Sequence, residues 1–225
     1  MDKNDDRLFL HADVPIAKLT NHNNWRDTLV KLCNKPGKKI LEVGSRVVTG
    51  SNFRSLFDKA EYTGFDFHAG ENVDVVGDAH YLSKFFDKKF DLIFSSAVFE
   101  HFAMPWVVAQ EMMKLLSVGG YIFVETHYSY SSHERPWHFF QFSELALQIL
   151  FPPAAGIRCV EAGVSNPLVG RFSSLASEYL AGKPVGGLYC HSAFLGVKDK
   201  DVQEFSYTEI LENLATSYPL KDKPS

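Results

Sequence analysis

The chain has 225 residues, 45% of them hydrophobic and 14% aromatic, with 23 basic against 27 acidic residues and a net charge of −4. That composition excludes a disordered chain and supplies the core of one generous domain. The slight acidic excess gives no support to a protein held on nucleic acid mainly by charge. Three scattered cysteines, Cys33, Cys159 and Cys190, show no CxxC spacing, so neither a zinc ribbon nor a disulfide framework is expected and a reducing, cytoplasmic setting follows. No apolar run approaches the ~18 residues of a membrane span, and the acidic start MDKNDDRLFL does not read as a secretory signal.

In chain order, residues 1–37 form an N-terminal segment and a helix. The helix opens at Asn23 or Asn24 and carries Trp25, Leu29, Leu32 and Cys33 at helical spacing, with Pro36-Gly37 ending it. Short apolar runs follow at Lys39–Val43, Tyr62–Phe65, Val73–Val76, Asp91–Phe94 and Tyr121–Glu125. Strands buried on both faces of a parallel sheet read this way. Helical patterns lie between them at Asn52–Phe57, His80–Phe86 and Pro105–Leu116, the last stopped by Gly119-Gly120. Later come a helix from Ser143-Glu144 to Leu150, a strand over Arg158–Ala162, a helix over Arg171–Leu180, a strand over Tyr189–Val197 and a terminal helix over Thr208–Tyr218. The alternation predicts an α/β domain over residues 38–200 with helices on both faces of a mostly parallel sheet, a Pro/aromatic-rich insertion at 128–142, and a C-terminal helix with a frayed tail over 201–225.

The run KILEVGS places Glu42 at a strand end and Gly44 at the following turn, where a missing side chain lets backbone approach a ligand. Asp66 ends the next strand, 22 residues after Gly44, the spacing at which an acid holds ribose hydroxyls. That spacing suits nicotinamide and methyl-donor nucleotides alike. Glu42 favours the second, because a carboxylate opposes a pyrophosphate but attracts the ammonium and sulfonium of S-adenosylmethionine (SAM).

Together, ILEVGS, YTGFD, VDVVGDAHYL, FDLIFSSAVFEHF and LLSVGGYIFVETH, in that order over roughly residues 38–127, resemble the class I SAM-dependent methyltransferases, with a Rossmann-like domain. The resemblance implies that Glu42, Gly44 and Ser45 meet the methionine part of SAM. It further implies that Asp66 takes the ribose, Phe67 stacks near the adenine, Asp78 and Ala79 read the adenine edge, and Ser95, Ser96 and Ala97 floor the sulfonium. The chain departs from the family's glycine-rich turn at Arg46–Thr49, where a longer loop intervenes and Arg46 is a candidate for the donor's carboxylate.

Several of the nine histidines follow predicted strand ends: His68, His80, His101 and His127. Open α/β sheets bind ligands beyond the carboxyl ends of their strands. His101, His133 and His138 are the candidates for removing a proton from an acceptor hydroxyl. No HExxH or HxH spacing occurs, so no metal is expected. The position where many nucleobase N-methyltransferases carry an Asn-Pro-Pro-Tyr type motif reads SSAV. That lowers nucleobase methylation without excluding other nitrogens; the aromatic insertion suits a ring or amphipathic acceptor, and O-methylation of a small-molecule, sugar-like or natural-product acceptor is favoured, with N-methylation or a non-catalytic SAM-binding module as the alternatives; oligomeric state is left open.

Overall fold

A computed structural model describes residue 7, residues 10–208 and residues 210–211. Its centre is a seven-stranded sheet. The strands are β1 (Lys39–Val43), β2 (Glu61–Asp66), β3 (Val75–Val76), β4 (Phe90–Ser96), β5 (Leu116–His127), β6 (Ile157–Pro167) and β9 (Tyr189–Lys198), in spatial order β3-β2-β1-β4-β5-β9-β6. The first five run parallel, and β9 enters antiparallel to both β5 and β6. A small antiparallel pair, β7 (Gly170–Arg171) and β8 (Pro184–Val185), forms a separate hairpin.

Alternation along the strands explains why both faces are buried. Leu41, Val43, Ile93, Ile122, Val124 and Phe194 point into one apolar cluster. Helix α2 (Pro105–Leu115) covers it with Val108, Ala109 and Met112, and helix α3 (Glu144–Leu150) with Leu147 and Leu150. Their neighbours Ile40, Leu92, Phe94, Phe123, Ala193 and Leu195 point the other way, against Trp25, Leu29 and Cys33 of helix α1 (Trp25–Cys33) and against Phe57. The period of two thus serves two cores at once.

The expected α/β architecture, with a mostly parallel central sheet, is what the chain adopts. Local differences have physical causes. Asn52–Phe57 and His80–Phe86 fold as 3-10 turns, Arg54–Phe57 and Ala79–Phe85, the second interrupted at Tyr81. Gly119-Gly120 does not stop α2. The helix ends at Leu115 and the chain passes directly into β5, while the buried Lys198 ammonium donates to the carbonyls of Met113 (2.9 Å) and Leu116 (3.0 Å). Arg171–Leu180 is not a helix. It enters the β7–β8 hairpin, and its Leu175 and Tyr179, four residues apart, are 95% and 70% exposed. Most of the expected helix Thr208–Tyr218 lies outside the described residues. The three cysteines are free, and no helix among the described residues is long and apolar enough to cross a membrane.

The N-terminal segment is stitched to the sheet edge. Ile16 bridges Val164, and Glu161 of β6 accepts from the amides of Lys18 (3.0 Å) and Thr20 (2.7 Å).

Candidate active site

The carboxyl ends of β1, β2, β4 and β5 converge on one crest. Gly44, just beyond β1, has φ +85°, and a Cβ there would fall 2.3 Å from Val98 Cγ2. Only glycine provides both the left-handed conformation and the clearance. The amides of Gly44 (2.8 Å) and Ser45 (3.1 Å) both donate to the Phe65 carbonyl and tie the turn to β2. Ser45 is buried and its hydroxyl donates to the Asn72 carbonyl at 3.0 Å.

Glu42 is also buried. Its Oε2 accepts from the Tyr62 hydroxyl and from Asn72 Nδ2 (3.0 Å). Asn72 reaches it from a left-handed backbone (φ 69°), opposite Gly64, where a Cβ would collide with the Asn72 carbonyl. Arg54 clamps this loop by bonding Asn72 Oδ1 (2.8 Å) and Asp74 (2.6 Å) while lying over the Tyr62 ring at 4.6 Å. Burial pushes the Glu42 carboxyl from 4.5 up to about 8, against the Asn72 hydrogen bond and the Arg54 charge. Near neutrality the group is therefore mostly protonated.

Asp66 sits at the end of β2, with Oδ2 accepting from the Arg46 amide (3.2 Å) and Oδ1 from the His68 amide (2.9 Å). Each oxygen keeps a second lone pair. The Arg46 guanidinium, with Nε 3.5 Å from Oδ1, turns toward Asp66. Phe67 next to it is 61% exposed, a bare aromatic face beside the acid. Asp78 directs Oδ1 to the His80 amide (2.9 Å) and His80 Nδ1 (2.6 Å), with Ala79 buried behind it. Ser95 is fully buried with its hydroxyl on the Val43 carbonyl (2.8 Å). Ser96 donates to Glu125 Oε2 (3.1 Å), and Ala97, exposed at φ 53°, has its amide on the Glu125 carbonyl (2.9 Å).

Across the crest lies a group of histidines larger than the sequence indicated. His101 and His138 have ring centroids 5.0 and 4.6 Å from that of His133, and His127 is 5.2 Å from it. His191, at the start of β9, is 5.7 Å from His127 and stacks on His22 at 4.2 Å. Two buried carboxylates anchor these rings. Glu125 takes His22 Nδ1 at 2.8 Å, and the bond raises the His22 pKa against the opposing effect of burial. Glu100 lies against His127. Burial pushes its carboxyl up, but His127 and Thr126 outweigh burial and hold it below its ordinary value. Glu100 and Glu125 lie within the family-like segments FDLIFSSAVFEHF and LLSVGGYIFVETH, which give them no role, and His22 and His191 have no motif signature. They meet because β5 and β9 pair with His127 opposite His191, a register the local sequence does not spell.

Residues 128–142 fold back over this cluster. The amides of Phe139 (2.8 Å) and Phe140 (3.2 Å) donate to the Glu100 carbonyl, and the Phe142 amide donates to the His127 carbonyl (2.8 Å). Tyr130, Trp137 and Phe139 face outward, while His133 and His138 turn toward His101.

Residues 41–124 match a family model described as a methyltransferase domain. Among solved structures, the YcgJ protein from Bacillus subtilis has the same fold with 18% identity and a TM-score of 0.54, over 80% of this chain and all of that one. A chain of the Haloferax volcanii complex between the Trm112 methyltransferase activator and a methyltransferase matches with 17% identity and a TM-score of 0.53, over 80% of this chain and 91% of that one. The plantazolicin methyltransferase BamL, solved with a triazolic desmethylPZN analog and SAH, matches with 18% identity and a TM-score of 0.50, over 76% of this chain and 80% of that one. No curated protein matches the chain.

Proposed function

Since the chain carries a class I SAM-dependent methyltransferase domain with SAM as its cofactor, we propose that it methylates a hydroxyl oxygen of a small-molecule acceptor, sugar-like or a natural product. The observation carrying this reading is the group of histidines across the crest from the Gly44 turn, over which the aromatic segment 128–142 folds. The residues on the other half of the crest fit the donor. Gly44 offers a surface no side chain could share, Asp66 has lone pairs for two ribose hydroxyls, Phe67 offers an open ring face, and Asp78 keeps Oδ2 for an exocyclic amine. Glu42 and Ser45 shape the turn from beneath. Ser95, Ser96 and Ala97 carry the floor, and Arg46 is within reach of the donor's carboxylate once released from Asp66.

The bound donor supplies a methyl group on a sulfonium and leaves as the thioether SAH. Holding the acceptor oxygen in line supplies several kcal/mol. A hydroxyl must also lose its proton. His101 Nδ1 lies 2.9 Å from the Trp137 carbonyl, an acceptor, so that nitrogen carries the hydrogen and Nε2 presents a lone pair. His101 Nε2 takes the acceptor's proton, and base catalysis of this kind contributes ~10²–10⁴-fold. His133 is held the same way by the Ser131 carbonyl (3.0 Å). His138 differs: its Nδ1 accepts from the His133 amide (3.2 Å), so in the neutral ring Nε2 carries the hydrogen, and burial and the neighbouring imidazoles hold its pKa below the ordinary value. Outward-facing Tyr130, Trp137 and Phe139 give an apolar or cyclic acceptor its contact surface, and free cysteines suit a cytoplasmic setting.

The test is calorimetric titration with SAH followed by a screen of hydroxyl and amine acceptors. Asp66→Ala should weaken SAH binding at least ~10-fold, the worth of one charge-assisted hydrogen bond. No SAH binding by the wild type would defeat the reading. Turnover of amines alone would replace O-methylation with N-methylation.

A further inference from the structure

Glu100 occupies the 3-10 turn Phe99–His101 after β4 and is fully buried. Its Oε2 accepts from the Thr126 hydroxyl at 2.6 Å. Its Oε1 faces three imidazole nitrogens: His127 Nδ1 at 2.8 Å, His101 Nε2 at 3.9 Å and His133 Nε2 at 4.0 Å. Close as they are, Oε1 and His127 Nδ1 do not meet in hydrogen-bonding alignment, and both are buried without a hydrogen-bond partner. A buried polar atom left in that condition costs ~1–3 kcal/mol, more when charged.

The outer contacts of the rings fix what they present inward. His133 Nδ1 is spent on the Ser131 carbonyl and His101 Nδ1 on the Trp137 carbonyl. A carbonyl only accepts, so in each neutral ring the hydrogen is on Nδ1 and Nε2 keeps a lone pair within about 4 Å of Glu100 Oε1, with His101 Nε2 also 3.7 Å from Glu134 Oε2. A carboxylate oxygen confronted by such lone pairs is electrostatically unfavourable without a cation between them. A backbone carbonyl behind the distal ring nitrogen is also the usual support of a metal-ligating histidine. Glu100 Oε1, His127 Nδ1 and His133 Nε2 all lie within 4.8 Å of one another. Their separations from Oε1, 2.8 and 4.0 Å, bracket the ~3–3.5 Å between ligands that sit ~2.1 Å from one ion.

We propose that Glu100, His127 and His133 form a binding site for a divalent first-row transition-metal ion at the acceptor side of the crest. One carboxylate and two imidazoles are the donor set that suits zinc, manganese, iron and cobalt, and three protein ligands leave a position for a substrate oxygen. The site begins two residues after Val98, which packs against the Gly44 turn, so a single short segment links the two. This deepens the methyltransferase reading and its role rests on it. An acceptor whose hydroxyl coordinates the ion loses its proton more readily, with the proton passing to His101. His133 then serves as ligand and His101 as base. The substrate class narrows to acceptors with a metal-coordinating hydroxyl, such as a vicinal diol or a hydroxy-carbonyl compound.

The test uses the full chain after chelation and dialysis, titrated with Zn²⁺ by calorimetry and with Co²⁺ by visible absorption, without donor or acceptor present. One Zn²⁺ per chain is expected, with a raised thermal midpoint and a visible cobalt absorption band that saturates at one Co²⁺ per chain. Glu100→Gln and His133→Ala should each weaken Zn²⁺ at least ~10-fold, since even outer-shell changes cost 10–100-fold, whereas His11→Ala, at an exposed position, should not. His133 lies in a partly exposed loop, so its variant keeps the test valid if Glu100→Gln fails to fold. Absence of stoichiometric binding, or binding indifferent to His133→Ala, overturns the proposal. SAH titration of the same samples separates the readings: SAH binding without Zn²⁺ binding defeats the metal site alone, and loss of both defeats the methyltransferase reading too.

Discussion

A carboxylate can be written in a strand-end motif and yet be folded away. Glu42 lies under Tyr62 and Asn72 with its pKa pushed up to about 8 by burial. In the unfolded chain the same group ionises near 4.5. Between those values the folded state holds a proton that the unfolded state has lost, so Glu42 costs stability progressively as pH rises from about 4.5 to about 8. His22 acts in the same direction. Its raised pKa makes a contribution that is complete below about 6.5 and is lost as pH rises through the folded value. Glu42→Gln should therefore be more stable than wild type at pH 8.5 by a few kcal/mol and nearly equal at pH 4.5, measured by urea denaturation. A constant difference across that range would show that Glu42 is ionised throughout. The charge that made Glu42 legible as a donor contact in the sequence is thus mostly absent at neutral pH. Asn72, which seals it, gave no signal beyond an asparagine before a strand.

At the level of elements, short apolar runs revealed the strands because burial on both faces leaves no room for polar positions, and Ile40-Leu41 and Leu92-Ile93-Phe94 divide between the two cores as that implies. Ends and turns were less readable because distant residues set them. Helix α2 stops where Lys198, more than eighty residues later, reaches the carbonyls of Met113 and Leu116. Lys198→Met leaves both carbonyls without that donor and should lower stability by about 1–3 kcal/mol, seen as a lower urea midpoint with an unchanged slope. An unchanged midpoint would mean that water replaces the ammonium at no cost. The β7–β8 hairpin misled for the opposite reason. Leu175 and Tyr179 are spaced as on a helix, but nothing covers them, and periodicity without burial carries no driving force.

At the scale of the whole molecule, the proposed function puts the donor over the ends of β1 and β2 and on the β4 floor, and the acceptor over the histidines on the β5 and β9 side of the sheet. The strand-end residues Glu42, Gly44 and Asp66 could be placed on one crest from the sequence because their strands follow one another along the chain. On the other side His101, His133 and His138 were readable as candidates, but His22, Glu100 and His191 were not, because they join those rings only through the sheet and the fold-back of segment 128–142. β2 and β5 stand three strand spacings apart, about 14 Å, beyond the range at which side-chain substitutions couple. His133→Ala should leave SAH affinity within about twofold of wild type while lowering turnover ~10²-fold or more. In the Asp66→Ala/His133→Ala double variant the two effects on kcat/KM should multiply. Strong departure from multiplication would mean that the halves move together.

The reversed entry of β9 also bears on how the molecule is made. Domains emerging from the ribosome acquire structure from the N-terminal side first, and β1 to β4 with the Gly44 turn can pair as soon as residue 96 is out. β5 and β6 are not neighbours and must wait for β9 to be threaded between them. A nascent chain halted at residue 188 would own the Gly44 turn and its neighbouring strand ends, yet lack the partner strand that brings His191 to His127.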